Sequence, residues 1–163
     1  MSLARAFRHL ATPAWVISRV FPQQALAHIE QAIAATEQTH GGEIRFAVEG
    51  NLGAFDLWRG VTARDRALEV FAQLGVWDTE ANNGVLIYVL WADHDVEIVA
   101  DRGFNGKVSP AEWAAVCKEM EKRFKAGDAE GAVIEGIREV GALIARHYPA
   151  ADRNELPDRP VVL

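Results

Sequence analysis

Two groups of polar residues lie at the ends of one apolar stretch, and their side chains are the ones best suited to chemistry. Asp93, His94 and Asp95 place two carboxylates and an imidazole within three positions. Asn82-Asn83 and Asp101-Arg102 form the second group, in which carboxylate and amide oxygens suit a divalent cation and arginine suits phosphate. If the chain is catalytic, one of these two groups is expected to hold the site.

The residues between the two groups predict a β-hairpin. Residues 85–91 have no polar side chain except the Tyr88 hydroxyl, a pattern typical of a central strand covered on both faces. Residues 96–101 alternate in the manner of a partly exposed antiparallel strand. The hairpin would place Asp93 to Asp95 at its turn and bring the second group together at the opposite edge.

The remaining elements follow in the order helix, strand, helix, hairpin, helix, helix. A helix is predicted from Pro22 to the Gly41-Gly42 pair and a strand over 43–48, while later helices begin near Thr62, Ser109 and Asp128. The first two strands need a helical crossover and should be parallel. The pattern predicts an α/β fold, a three-layer αβα sandwich with a mixed, mostly parallel sheet of about four strands including the hairpin. Residues 51–60 are compatible with a short edge strand or an ordered loop.

Length and composition indicate one domain with two appendages. The 163 residues are half hydrophobic, which is enough for a single core. We assign this domain to residues 22–149, a basic amphipathic segment to residues 1–21 and a flexible tail to residues 150–163. The first segment has three arginines and no acid before Glu30, and no part of the chain is apolar enough to span a membrane. Its apolar stripe consists of Leu3, Phe7 and Leu10 and is expected to dock on the domain. Peripheral membrane contact through residues 1–20 is the alternative.

Charge and cysteine content restrict the partners and the compartment. The net charge of −6 and a pI near 5.4 argue against a nucleic-acid partner, which needs a basic surface. Cys117 is the single cysteine and lies on a predicted apolar helix face, so neither a disulfide nor a paired thiolate metal site is expected. These features favour a reducing compartment, and we expect a cytoplasmic protein.

The end of the hairpin that brings Asn82-Asn83 and Asp101-Arg102 together is the better candidate for a functional site. Asp93 and Asp95 precede a tight hairpin turn, where aspartate is a common turn former. At the other edge a cation would take oxygens from a set of five residues: Asp101, Glu43, Asn82, Asn83 and Asp78. In a catalytic reading, Asp101 and Arg102 act on a phosphate, while the alternative is that these side chains only form salt bridges and turns.

The chain resembles the TPM domain family over about residues 22–149. The matching pieces are GGEIRFAVEG, ARDRALEVFAQLGVWDTEANNGVLIYVL, VEIVADRG and FKAGDAEGAVIEGIREVGALIARHYP. The resemblance implies a three-layer αβα sandwich, divalent-cation binding, often Ca²⁺, and an acid phosphatase activity attributed to some members. Many members have a Gly-Tyr-Gly-Leu-Glu-Gly loop after the hairpin, whereas this chain lacks that glutamate in residues 100–106.

Two functions remain open from the sequence. The first is a protein-binding or regulatory module stabilised by Ca²⁺ or Mg²⁺, with a protein as its partner. The second is a metal-assisted acid phosphatase acting on phosphomonoesters, in which Arg102 stabilises the developing charge. Because no complete catalytic constellation is visible, the binding module is the preferred hypothesis.

Overall fold

The computed structural model describes residues 3–151 and 153–163. Residues 1, 2 and 152, which fall in the predicted N-terminal segment and tail, lie outside the described residues. The helices are α1 (Leu3–Leu10), α2 (Ala14–Val20), α3 (Gln23–Glu37), α4 (Ala54–Arg59), α5 (Ala63–Gln73), α6 (Pro110–Lys125) and α7 (Ala129–Ala145). The strands are β1 (Glu43–Glu49), β2 (Gly84–Leu90), β3 (Asp95–Ala100) and β4 (Val161–Val162).

The four strands form one mixed sheet in the order β3-β2-β1-β4. β1 pairs in parallel with β2 and with β4, whereas β2 and β3 form the antiparallel hairpin. Every residue of β2 is buried, as expected for a central strand. The predicted mixed, mostly parallel sheet with one hairpin is therefore confirmed.

Helices cover both faces of the sheet, which confirms the αβα sandwich. Alternate residues of β1 and β2, such as Phe46 and Ile87, face a core formed with α2, α3, α6 and α7. Their neighbours, such as Leu86 and Tyr88, face a second core formed with α4 and α5. The two-residue period of a strand separates the chain's apolar residues into these two cores.

The helix starts predicted from capping residues are formed. Thr62 with Asp65 and Ser109 with Glu112 make reciprocal capping boxes. In α7, a methyl group on Gly136 would overlap the Met120 sulfur, so close contact with α6 accounts for a glycine in the middle of a helix.

Residues 51–60 are neither an edge strand nor a loop. They include α4, which begins after Gly53 and ends at Gly60, where φ is 75°. Leu57 on this helix is buried in the second core, whereas Trp58 is exposed. The edge of β1 is not available to these residues because β4 pairs there.

The C-terminal segment, predicted as a flexible tail, lies along β1. Val161–Val162 pair with β1, and Leu156 is buried against the second core. The Leu156 amide donates to Glu43 Oε2 at 3.0 Å. Buried Arg45 donates to the carbonyls of Pro157 and Arg159. These polar side chains of β1 thus bind the C-terminal segment, which covers them where a helix would otherwise lie.

The N-terminal segment docks on the domain, but through its polar face. Arg5 and Arg8 contact the hairpin turn. The predicted apolar stripe faces outward, with Leu3, Phe7 and Leu10 being 84, 73 and 79% exposed. The stripe therefore does not dock as expected. Within residues 3–151 and 153–163, no helix has the length and apolarity needed to cross a membrane.

Candidate functional site

The predicted site residues separate into two clusters on either side of Gly84. Glu43 lies opposite Gly84 in the parallel pair, while the Asp101 amide donates to the Gly84 carbonyl at 2.9 Å. Glu43 and Asp101 are therefore two strand spacings apart, about 10 Å between Cα atoms. Both residues lie at the same end of the sheet, but they belong to different clusters.

The first cluster joins Asn82, Asp101 and Arg102 at the end of the hairpin. Asn82 has a φ of 52°, and its Oδ1 accepts from Arg102 Nε at 2.9 Å. Asp101 Oδ1 accepts from the Arg102 amide at 2.7 Å. Asp101 Oδ2 is buried and has no hydrogen-bond partner among the described residues. The structure thus brings together three of the predicted residues and leaves one acceptor open.

The second cluster surrounds the amino end of β1. Buried Asn83 donates from its side chain to the Gly41 carbonyl and from its amide to Thr79 Oγ1, the latter at 3.0 Å. Glu43 Oε2 is occupied by the Leu156 amide. Asp78 is exposed in the turn after α5. Each of these predicted ligands has a structural partner or stands apart from the others.

Glu37, which the sequence analysis missed, is the most perturbed carboxyl group of the second cluster. It lines a cavity of about 320 Å³ with His40, Glu43 and Asp158, among others. Burial, together with the charges of Glu43 and Asp158, raises the pKa of Glu37 to about 8, although the Ile44 amide donates to its Oε1. Burial also lowers the pKa of His40. In sequence, a buried glutamate at the end of a helix looks the same as a solvent-exposed one, so no local pattern identified Glu37 as a site residue.

The expected cation ligands do not form one oxygen shell. Calcium takes six to eight oxygen ligands. Asp101 has one open carboxylate oxygen, but Arg102 places a positive charge in the same cluster. Among the residues that the structure describes, no three His, Cys, Asp or Glu side chains are grouped to hold a metal ion. The donor set therefore does not fit the expected site.

Asp93, predicted as a turn former, also anchors the N-terminal segment. Its carboxylate accepts from Arg5 Nε and Arg8 Nη2, both at 2.8 Å, and contacts His9 Nε2 at 3.2 Å. The Leu52 amide donates to His9 Nδ1, which makes Nε2 the ring nitrogen that donates to Asp93. Burial opposes ionisation, but these hydrogen bonds hold the pKa of Asp93 below its usual value.

A groove of about 580 Å³ lies along the outer edge of β3 and is called here the edge groove. Its apolar lining comes from β3, the following loop and α6. The charged lining residues are Arg64, Asp95, Glu97, Asp101, Lys118 and Glu121. Most of these were absent from the sequence-based site, because residues from three elements meet there only in the folded chain.

Two side chains contact the backbone of β3 at this edge. Since the Asp101 amide points toward β2, alternation turns the backbone groups of Val96, Ile98 and Ala100 outward. Arg64 Nη1 donates to the Ile98 carbonyl at 2.7 Å, and Glu121 Oε1 accepts from the Val96 amide at 3.3 Å. Side chains, and not another strand, thus occupy part of this edge.

Acidic residues of the edge groove repel one another. Burial raises the pKa of Asp95 to about 6, with further contributions from Glu97 and Glu121. Burial and the same two glutamates raise the pKa of Cys117 to about 12. The thiol at the groove is therefore protonated and a poor nucleophile at neutral pH.

One family model matches this chain, and two solved structures are similar to it in fold. The TPM domain model matches residues 17–143. The NMR structure of the BA42 protein from the psychrophilic bacterium Bizionia argentinensis is 30% identical, with a TM-score of 0.75 over 86% of this chain and 93% of that chain. The N-terminal domain of a protein from P. gingivalis shares the fold at 16% identity, with a TM-score of 0.65 and 82% of each chain covered. A search of curated proteins gives no match.

Proposed function

This chain belongs to the TPM domain family, and from that premise we propose that it is a protein-binding module for an extended, positively charged segment of a partner. The observation that carries the proposal is the edge groove, where an incompletely paired strand is lined by apolar and acidic side chains. Extended peptides bind such edges through backbone hydrogen bonds, while side-chain pockets supply specificity.

The size of β3 suits a short peptide. Its six residues extend over about 20 Å. The outward amide of Val96 and carbonyl of Ile98 are bound only by single side-chain contacts, from Glu121 and Arg64. A peptide backbone offers the same donors and acceptors, so it can replace these two contacts without leaving the strand unpaired.

The charge of the groove favours a basic segment. Four carboxylates line it against one lysine and one arginine, and burial together with the charges of Glu97 and Glu121 raises the pKa of Asp95. A lysine or arginine placed between Asp95 and Glu121 would relieve the repulsion among these carboxylates. At the other end, Asp101 lines the groove, and its buried Oδ2 has no hydrogen-bond partner among the described residues.

An NMR titration with two synthetic octapeptides tests this function. We expect alternating Lys-Val to shift amide resonances of β3 and α6, and alternating Glu-Val to leave them unchanged. The Glu97→Lys/Glu121→Lys double variant should bind Lys-Val at least tenfold more weakly. Glu30→Lys, at an exposed position of α3, is the matched control. Equal affinity for both peptides, or no shifts at β3, would overturn the proposal.

Cation dependence is a separate part of the proposal. We retain Ca²⁺ or Mg²⁺ stabilisation through Asp101 and Asn82 as a prediction of the family resemblance, to be tested independently of the peptide. Thermal unfolding in CaCl₂, MgCl₂ and EDTA should show a cation-dependent midpoint that Asp101→Asn removes. Identical midpoints in all three solutions would remove the cation from the proposal and leave peptide binding intact.

A divalent-metal-assisted acid phosphatase is the alternative function. The cluster of Asn82, Asp101 and Arg102 favours it, because a hydrogen-bonded arginine lies beside a carboxylate oxygen that has no hydrogen-bond partner among the described residues. Hydrolysis of p-nitrophenyl phosphate at pH 5 discriminates the two functions. A phosphatase should lose turnover in both Asp101→Asn and Arg102→Ala, whereas a binding module should show none above buffer in any variant.

We propose that the partner is a cytoplasmic protein and not a nucleic acid. The net charge of −6 disfavours a phosphate backbone. The single cysteine, half-buried on α6, is suited to a reducing compartment.

A further inference from the structure

The outward orientation of the α1 apolar stripe has a clear electrostatic cause. Asp93 binds the opposite face of the helix through Arg5, Arg8 and His9. Because charged groups paired at a partly buried carboxylate are costly to separate, this contact determines which face of α1 meets the domain. The apolar face is left in solvent, where its large side chains gain none of the free energy of burial.

Two neighbouring helices extend this surface. Phe55 and Trp58 of α4 are 64 and 74% exposed, with ring centroids 6.1 Å apart, and Trp15 of α2 is 62% exposed. A cavity of about 310 Å³ is lined by residues of both α1 and α4, including Leu10 and Leu57, so the two helices border one concavity. We call this the N-terminal face: Leu3, Phe7, Leu10, Trp15, Phe55 and Trp58.

The charged residues of α1 and α2 are basic, whereas α4 contributes Asp56 as well as Arg59. Residues 3–29 contain no acid, although the whole chain carries a net charge of −6. Arg19 and Arg59 are exposed, Arg19 lies one helical turn after Trp15, and the Arg59 guanidinium lies 5.7 Å from the Phe55 ring centroid. Leucine, phenylalanine and tryptophan bordered by arginine are typical of helices that lie in the interface of an anionic membrane.

We propose that the N-terminal face rests on the surface of an anionic lipid bilayer. The apolar side chains enter the headgroup boundary, and the exposed arginines pair with lipid phosphates, which strengthens binding to a negatively charged surface. A second copy of the chain fits this face less well, because a two-fold contact would oppose the same arginines. The edge groove lies on a different part of the chain, so a peptide and a membrane occupy separate surfaces.

Vesicle flotation of the full chain tests the proposal. We expect at least tenfold more binding to vesicles of equal phosphatidylcholine and phosphatidylglycerol than to phosphatidylcholine alone, and a strong decrease in 0.5 M NaCl. Phe7→Ser/Trp58→Ser should reduce binding at least tenfold. The matched control is Leu68→Ser/Trp77→Ser, which alters exposed residues outside the face and should bind like the wild type.

Charge is tested separately from apolar contact. Arg19→Glu/Arg59→Glu leaves the Asp93 contact intact and should abolish the preference for the anionic lipid. No flotation of the wild-type protein with anionic vesicles, or equal losses in the two serine double variants, would overturn the proposal. So would a concentration-dependent dimer, measured by sedimentation, that disappears in Phe7→Ser/Trp58→Ser. Peptide binding at the edge groove should persist in that variant, which separates this test from that of the proposed function.

Discussion

The two edges of the sheet differ in how their backbone groups are occupied. At the β1 edge, β4 supplies a parallel strand, and Glu43 and Arg45 bind the segment leading to it. At the β3 edge, side chains of Arg64 and Glu121 make the contacts instead. A backbone partner from the same chain closes an edge permanently, whereas single side-chain contacts can be exchanged for a ligand.

The largest test of this difference removes the β1 partner. Deleting residues 153–163 removes Leu156 and Val161 from the second core and leaves buried Glu43 and Arg45 without partners, at a cost of several kcal/mol. We expect the midpoint of thermal unfolding to fall by about 10 °C or more, with aggregation of the open edge. Circular dichroism and light scattering measure both. A midpoint within about 3 °C of the wild type would show that the segment is not structural.

A smaller effect is expected from Arg45→Met, which keeps the length of the side chain but removes its donors. The carbonyls of Pro157 and Arg159 lose their partner, and we expect a loss of about 2–4 kcal/mol in the free energy of unfolding. Chemical denaturation measures the loss. Arg146→Met, which removes an exposed pair with Glu112, is the control and should cost less than about 1 kcal/mol. Equal losses would contradict the special role of the β1 edge.

The raised pKa of Glu37 predicts a pH effect at the same edge. Between its ordinary value of 4.5 and about 8, the folded protein retains a proton that the unfolded chain releases, so this group lowers stability as pH rises through that window. Glu37→Gln keeps an acceptor for the Ile44 amide and removes the titration. The variant should match the wild type near pH 4.5 and exceed its unfolding midpoint at pH 9. Exposed Glu30→Gln should show no such divergence.

The smallest predicted effect concerns Asp95 at the open edge. Its pKa of about 6 exceeds the ordinary 3.8, so the cost of ionising it develops between these pH values and is complete above pH 6. Asp95→Asn should raise the unfolding midpoint modestly at pH 7.5, leave it unchanged near pH 4 and weaken binding of the Lys-Val peptide. A variant less stable than the wild type at pH 7.5 would show that the carboxylate is not repelled in the groove.

Local patterns were sufficient for most of the fold. The apolar run over 85–91 identified the central strand, and the Ser109 and Glu112 pair identified the start of α6. These signals lie within a few residues of one another, so their meaning does not depend on the rest of the chain. The predicted tail was different, because two valines become a strand only when β1 has an open edge beside them.

The candidate site was predictable only in part. Asn82, Asp101 and Arg102 meet because a hairpin of known register brings its ends together. Glu43 was assigned to the same cluster, but it turns toward the C-terminal segment. Arg64 and Glu121, from α5 and α6, reach the edge groove through the stacking of layers, which leaves no mark in the spacing of residues.

By itself, the sequence determined the αβα sandwich, the parallel pairing of β1 with β2 and the hairpin, because hydrophobic period, capping residues and crossover handedness are local or nearly universal rules. Only the tertiary structure decided which surfaces remain open. Asp93 determines which face of α1 packs against the domain, and Glu43 and Arg45 bind the C-terminal segment. Long-range hydrogen bonds of charged side chains made these choices, since a buried charged group is stable only beside the partner that folding brings to it.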